Sequence, residues 1–288
     1  KTRMLNRFHV WFPAGIVIGS LLAYFMMDKM DINWQIYAAL LFIPLAIYGI
    51  VFLGQKIPET ERVTSGVTYK GMMMAVGAPF TIIISMTLMI LLATKVINFP
   101  EGWMYLGLIG IVSLLSILEA KLVHKEKAIF PIMFSLMLLT SSTELVTNQW
   151  VNALLGGAVE SAILLLALIS TIMALGRFFA GQLVHRINPL GVLLMSSVFA
   201  ALGIYVLSFV SSPGMTVVGA VLFAIGITYF WPTMLGFCSE YIPRTGALGL
   251  SLLGGAGFVS ASMFMPVMGK ILEDNDTSVA LQSMGILP

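Results

Sequence analysis

The chain has 288 residues, of which 59% are hydrophobic and only 10% are charged, and its mean hydropathy is +0.99. A soluble domain carries about 25% charged residues, so a water-soluble globular protein is excluded and an all-α polytopic membrane protein is expected. The formal net charge of +2 says little, because in a membrane protein the information lies in where the charges sit.

Windows of roughly 20 apolar residues predict nine spans, at 8–27, 34–53, 78–97, 103–123, 129–150, 158–186, 191–210, 216–238 and 247–271. The joins from Asp28 to Asn33, Asn98 to Gly102 and Ser211 to Gly214 carry Pro, Gly, Asn and Asp breakers. The longest connection runs from Gly54 to Met74 and holds Lys56, Glu59, Glu61, Arg62 and Lys70. It marks the expected boundary between two bundles. The chain begins at Lys1 and its last apolar run has no returning partner, so it reads as an internal piece of a longer protein.

Lys and Arg placement predicts orientation. With the amino end inside, the inner loops and edges hold Lys1, Arg3, Arg7, Lys56, Arg62, Lys70, Lys121, Lys125, Lys127, Arg186 and Arg244. The outer ones hold Lys29, Lys95 and Lys270, and Arg177 lies within a span. Eleven against three places the amino end in the cytoplasm and the carboxyl end outside, in a cytoplasmic (inner or plasma) membrane.

Span 129–150 carries a polar stripe. Thr140, Thr143, Glu144, Thr147, Asn148 and Val151 recur at helical spacing, and five of the six are polar. Such a face avoids lipid and lines either a wet cavity or a helix interface. Glu144 has two readings: a carboxylate that binds solute or couples protons, or a structural group hydrogen-bonded to a neighbouring helix or hydrated near the outer interface. Asn148, Gln149, Trp150 and Asn152 combine amides with an aromatic ring, which suits recognition of a sugar's hydroxyls and C–H face. An interfacial aromatic belt around Trp150 accounts for the same residues.

Two runs from Ala158 and Gly191 meet at Gly176–Leu190, where the chain has four or five residues in which to reverse. The two helices are therefore antiparallel neighbours joined at a water interface. Gly181 is expected to admit a close backbone, Arg186 to meet a carbonyl end or headgroup, and Asn188-Pro189 to break the helix. Arg177 lies deeper and is expected to tie helix ends together through carbonyls or through an acid such as Glu119. Glu160 opens its helix, and Gly15/Gly19 and Gly254/Gly255/Gly257 are small-residue contacts. Within span 216–238, Pro232 frees a carbonyl near residue 228 and bends the helix beside Tyr229, Phe230 and Trp231. Those aromatics form either a gate or stacking platform, or a lipid-facing cluster.

The loop Gly181, Leu183, Arg186 resembles the "G-x-L-x-D-R-x-G" loop of the major facilitator superfamily, with His185 in place of Asp and Asn188-Pro189 in place of Gly-Arg. Leu5-Asn6, His9, Trp11-Phe12, Gly15 and Gly19 resemble the start of the fifth helix of fucose-permease-like sugar transporters. Pro58-Glu59-Thr60-Glu61-Arg62 is similar to the signature that ends the sixth helix of sugar porters. The resemblance implies that 1–53 ends an amino-terminal bundle (two helices) and that 54–77 is a cytoplasmic central loop. Residues 78–123 become an inserted helix pair, and 124–288 an incomplete carboxyl-terminal bundle. The whole would have fourteen helices; a twelve-helix numbering is the alternative.

It further implies a secondary transporter that moves a small polar solute, a sugar as best guess, by alternating access with protons as coupling ion. Glu144, Asn148, Gln149, Trp150, Thr140, Tyr229 and Trp231 are its candidate solute and proton residues, with Gly181, Arg186 and Arg177 in the cytoplasmic gating loop. A drug or metabolite exporter is the alternative, although Ser20 and Leu21 stand where its fifth-helix Gly-Pro would fall. An intramembrane enzyme or a channel is less supported: no His-x-x-x-His or Glu-x-x-His spacing, phosphate loop or half-length segment occurs. The one cysteine, Cys238, excludes an intramolecular disulfide. With His9, His124 and His185 at separate places, no metal, no cofactor and no nucleic-acid partner are expected, only solute, proton and lipid bilayer. Nothing in the sequence sets an oligomeric state.

Cysteines introduced at Lys125 and Arg244 should react with an impermeant thiol reagent only from the inside, and one at Glu101 only from outside. Reversed labelling at any of the three would break the nine-span topology.

Overall fold

The computed structural model describes residues 2–56, 59–94, 103–124, 127–155, 161–209 and 212–283. Lys1, Pro58, Lys95, Glu101, Lys125 and Glu160 lie outside it, as do the side chains of Glu61, Arg62, Trp150, Val151, Asn152 and His185. Every regular element among the described residues is helical. Eight helices there are long and apolar enough to cross a membrane, and a ninth results if one sharply bent pair counts as a single span. The chain is a multi-pass helical membrane protein.

In chain order the helices are α1 (Thr2–Phe8), α2 (Trp11–Ala23, prolonged by a π-turn over Tyr24–Lys29), α3 (Trp34–Ala39) and α4 (Phe42–Phe52). Next come α5 (Glu61–Thr64), α6 (Tyr69–Val76), α7 (Pro79–Ala93) and α8 (Trp103–Leu118, followed by a π-turn over Glu119–Val123). The rest are α9 (Ile129–Leu155), α10 (Ala162–Ser208), α11 (Pro213–Ile227), α12 (Phe230–Tyr241) and α13 (Gly246–Ser283). The region expected to be a plain central loop, 54–77, thus contains α5 and α6. Thr68 caps α6 by accepting from the Gly71 N–H at 3.0 Å, and Gly77, at φ +80°, ends it. Pro79 then opens α7, so α6 and α7 meet at 81°.

Local chemistry sets the other breaks. α10 is two helices joined at Asn188, whose backbone (φ 56°, ψ 168°) leaves the helical region. The Asn188 side chain accepts from the Gly191 N–H at 2.9 Å and Pro189 takes the first helical position, a cap followed by a residue with no N–H to lose. Ser212 and Pro213 repeat that arrangement at the start of α11.

Two compact units form, Lys1–Gly66 with Trp150–Gly236, and Val67–Gln149 with Phe237–Pro288. In the first, the second half of α10 packs antiparallel on α11. Helices in lipid gain no hydrophobic free energy from meeting each other, so close packing of small residues must hold them. The seam obeys this rule. Gly203 lies against the Phe223 backbone, Gly226 against the Ala200 backbone, and Gly219 against Leu207. Of the glycines expected to make such contacts, Gly19 meets the Tyr37 hydroxyl and Gly255 meets Met86. Gly15 and Gly254 have open space beside them instead. Nothing in the apolar window of Trp34–Phe52 is buried, and the Tyr37 hydroxyl ties that span to α2 by donating to the Gly19 carbonyl at 3.1 Å. In the second unit, α13 packs on α6 and α7, and α7 on α8.

Gly203→Val and Gly226→Val should each lower stability by about 1–3 kcal/mol or prevent folding, since a β-carbon there overlaps backbone. Gly15→Val and Gly254→Val should be near neutral in the same detergent unfolding assay. Equal behaviour of the two pairs would contradict the seam.

Candidate functional site

The polar face of α9 belongs to the second unit. Glu144 and Ser141 are each 1% exposed, and Asn148 is half-buried. At i, i+3 and i+7 these three side chains share one face of the helix. The side-chain oxygens of Ser141 and Asn148 are sealed from solvent and have no hydrogen-bond partner among the described residues. The predicted stripe is therefore rotated slightly. Thr140 donates to the Leu136 carbonyl at 2.9 Å and Thr143 to the Leu139 carbonyl at 3.0 Å, so both hydroxyl protons are used within α9. Gln149 is exposed, and the Trp150 ring lies outside the described residues. α9 is fixed against α13 just before this face, where the Ser260 hydroxyl donates to the Leu138 carbonyl at 2.5 Å.

A second polar centre lies in the first unit and is built on Arg177. This guanidinium is 1% exposed. Its Nε–H donates to the Thr228 carbonyl at 2.7 Å, and Nη1 donates to the His9 carbonyl at 3.3 Å. Pro232, four residues after Thr228, has no N–H, so that carbonyl lacks its ordinary helical donor. Arg177 supplies it from another helix. Gly176 makes the approach possible: a β-carbon there would come within 2.7 Å of the Thr228 methyl and 3.1 Å of the Tyr229 hydroxyl. Sequence reasoning expects both halves of this contact, the freed carbonyl and an arginine tied to carbonyls. The structure joins them.

Other expected roles are redistributed. Gly181 admits no backbone; the side chain of Arg3 fills the space beside it, 2.8 Å from where a β-carbon would be. Arg186 is exposed, while Tyr229 and Trp231 are half-buried. Thus Arg177 and Tyr229 come together around Gly176 in one unit, and Glu144, Asn148 and Thr140 share one helix in the other. Asn6, fully buried, was missed as a site residue: its amide donates to the Thr2 carbonyl at 3.0 Å and reaches the Thr233 hydroxyl at 3.5 Å. Its signals in the sequence are a lone amide just before the first predicted span and its place in the Leu5-Asn6-x-x-His9 run.

Glu119 is not the partner of Arg177. In the second unit its carboxylate accepts from the Phe80 N–H at 3.2 Å and the Thr81 N–H at 2.8 Å. It thereby caps the start of α7, where Ala78 offers no side-chain cap. The π-turn brings residues five apart onto one side, which sets His124 Nε2 3.2 Å from the same carboxylate and stacks its ring on Phe80. Among residues whose side chains are described, no group of three or more His, Cys, Asp or Glu could hold a metal ion.

The arrangement defines a class, a helical membrane protein with buried polar centres inside its spans. No family model, curated protein or solved structure matches the chain.

Replacing Arg177 by Met should cost about 1–3 kcal/mol, because it strands the Thr228 carbonyl. In a Pro232→Ala background, which returns a helical N–H to that carbonyl, the same replacement should cost clearly less. Additive effects in detergent unfolding would show that Arg177 and Pro232 do not share this carbonyl.

Proposed function

We propose that the chain is part of a secondary active transporter, not an enzyme, that moves a small polar solute across the cytoplasmic membrane by alternating access. Sugar is the proposed solute class and the proton the coupling ion. The observation that carries this reading is Glu144, a carboxyl 1% exposed on a membrane-length helix, sharing its face with the hydroxyl of Ser141 and the amide of Asn148. A carboxyl in hydrocarbon is costly when charged and unaided, so such residues mark solute or proton pathways. When protonated, Glu144 is neutral and can be enclosed; when its side of the protein opens to water, the carboxylate is hydrated and the proton leaves. Coupling follows if solute binds beside Glu144 only with the proton bound. Asn148 supplies both donor and acceptor for sugar hydroxyls.

The major facilitator reading rests on the residues that resemble that family's loop at Gly181, Leu183 and Arg186 and its fucose-permease-like helix around Asn6 and His9. It also agrees with the Lys and Arg distribution, from which the amino end and the Arg186 loop are proposed to face the cytoplasm. Arg186, exposed at that join, and Arg177, bonded to the carbonyls of Thr228 and His9, are the proposed gating groups, with Gly181 beside them. Tyr229 and Trp231 lie at the break between α11 and α12, just before Pro232, and are the proposed aromatic contribution of that half.

Glu144→Gln keeps size and hydrogen bonding but cannot titrate. In proteoliposomes containing the full-length protein, this variant should bind solute and exchange it across the membrane, yet fail to accumulate it against a gradient. Normal accumulation with unchanged pH dependence would remove the coupling role. Loss of both binding and exchange would make Glu144 a direct solute contact instead.

A further inference from the structure

The elbow between α6 and α7 carries a groove that the transport reading does not use. Tyr69, Met73 and Val76 of α6 form one wall at i, i+4 and i+7, and Ile83 of α7 with Leu248 and Leu252 of α13 form the other. The walls are wholly apolar, and the cavity measures about 200 Å³. That is below the roughly 300 Å³ at which pockets for drug-sized solutes begin, and apart from the Tyr69 hydroxyl its lining side chains offer a polar solute no hydrogen-bond partner. Tyr69 at the groove's end is 67% exposed, and Ile83 is 49% exposed, so the groove opens outward. All six residues lie in the second unit.

Two cations neighbour its lining residues along the chain. Lys70 follows Tyr69 directly, and Arg244 lies one helical turn before Leu248; both are exposed. The short turn Pro243–Thr245 that carries Arg244 packs on α6, with Met72 Sδ 3.1 Å from where a β-carbon on Gly246 would lie. Two exposed cations are thus carried by touching elements next to the residues that line the slot. Because α6 turns 81° from α7, it can lie along the membrane surface while α7, 15 residues long, enters the bilayer. Its Lys70 then sits at headgroup level and its Tyr69–Met73–Val76 face at the level of the acyl chains. The Lys and Arg distribution puts both cations on the cytoplasmic side, where anionic lipids concentrate and basic recesses between helices hold their headgroups.

We propose that this groove binds one anionic phospholipid of the cytoplasmic leaflet, its acyl chain against Met73, Val76, Ile83, Leu248 and Leu252 and its phosphate between Lys70 and Arg244. The site does not depend on what, if anything, the chain transports.

Native mass spectrometry of the detergent-purified full chain, titrated separately with phosphatidylglycerol and phosphatidylcholine, reads the site directly. The unaltered protein should retain one phosphatidylglycerol in preference to phosphatidylcholine. Lys70→Gln and Arg244→Gln should each cut that preference about fivefold, and the double variant should abolish it. The exchange pair Lys70→Arg with Arg244→Lys should keep it, which separates loss of charge from loss of fold. Met73→Trp, which fills the slot, should weaken retention of both lipids, and Lys29→Gln, at the opposite predicted side, should change nothing. Equal retention of the two lipids by the unaltered protein, or a preference that survives the double neutralisation, would overturn the proposal.

Discussion

A proline inside a membrane helix leaves a carbonyl without its donor, and no water is present in the hydrocarbon to replace it. In this protein that carbonyl belongs to Thr228, and the side chain of Arg177 takes it at 2.7 Å. The consequences spread through the first unit. Because the guanidinium also reaches the His9 carbonyl, one charge joins α10, the break between α11 and α12, and the junction of α1 with α2. Gly176 has to be bare for α10 to come so close. Farther along, the second half of α10 meets α11 through Gly203, Gly219 and Gly226. Hinge and seam are two solutions to one condition: helices in lipid adhere by fit and by polar satisfaction, not by escape from water.

The second unit meets the same condition with the opposite sign. There the unsatisfied groups are the first N–H groups of α7, and the carboxylate of Glu119 takes two of them. A guanidinium on an orphan acceptor and a carboxylate on orphan donors are both charge-assisted contacts, stronger than neutral ones. The π-turn at Glu119–Val123 also places His124 against that carboxylate, and the one at Tyr24–Lys29 sets the Lys29 ammonium 5.2 Å from the centre of the Tyr24 ring. In both turns the partners are five residues apart, the spacing that an α-helix would splay and a π-turn closes.

Much of this was legible in the sequence, because the signals are local. Apolar runs of about 20 residues give the spans, Asn188-Pro189 gives the break in α10, and Pro232 names its own orphan carbonyl by counting back four residues. A polar face on α9 was readable from spacing alone, though not its centre. Ser141 is one serine among several in the sequence, and only the structure shows it buried while the hydroxyls of Thr140 and Thr143 go to α9's own carbonyls. Other features depend on a partner far away in the chain. Glu119 caps a helix that starts about forty residues earlier, and no pattern around Glu119 announces it. The glycines of the α10–α11 seam are no more prominent in sequence than Gly15 or Gly254, where an added β-carbon would meet nothing. The helix α6 hid in a segment rich in charged and small residues, where its cap at Thr68 and stop at Gly77 were the available signs.

The arginine-to-carbonyl bond at the hinge is the claim on which this account of the first unit rests. Hydrogen exchange of arginine side chains observes it directly, with ¹⁵N-labelled protein in detergent micelles or nanodiscs and each arginine assigned by substitution. The Arg177 Nε–H should exchange far more slowly than that of the exposed Arg186, and Arg177→Lys should remove the slow resonance. If the Arg177 Nε–H exchanges as fast as the Arg186 Nε–H, the Thr228 carbonyl is held by something else and the hinge is wrongly described.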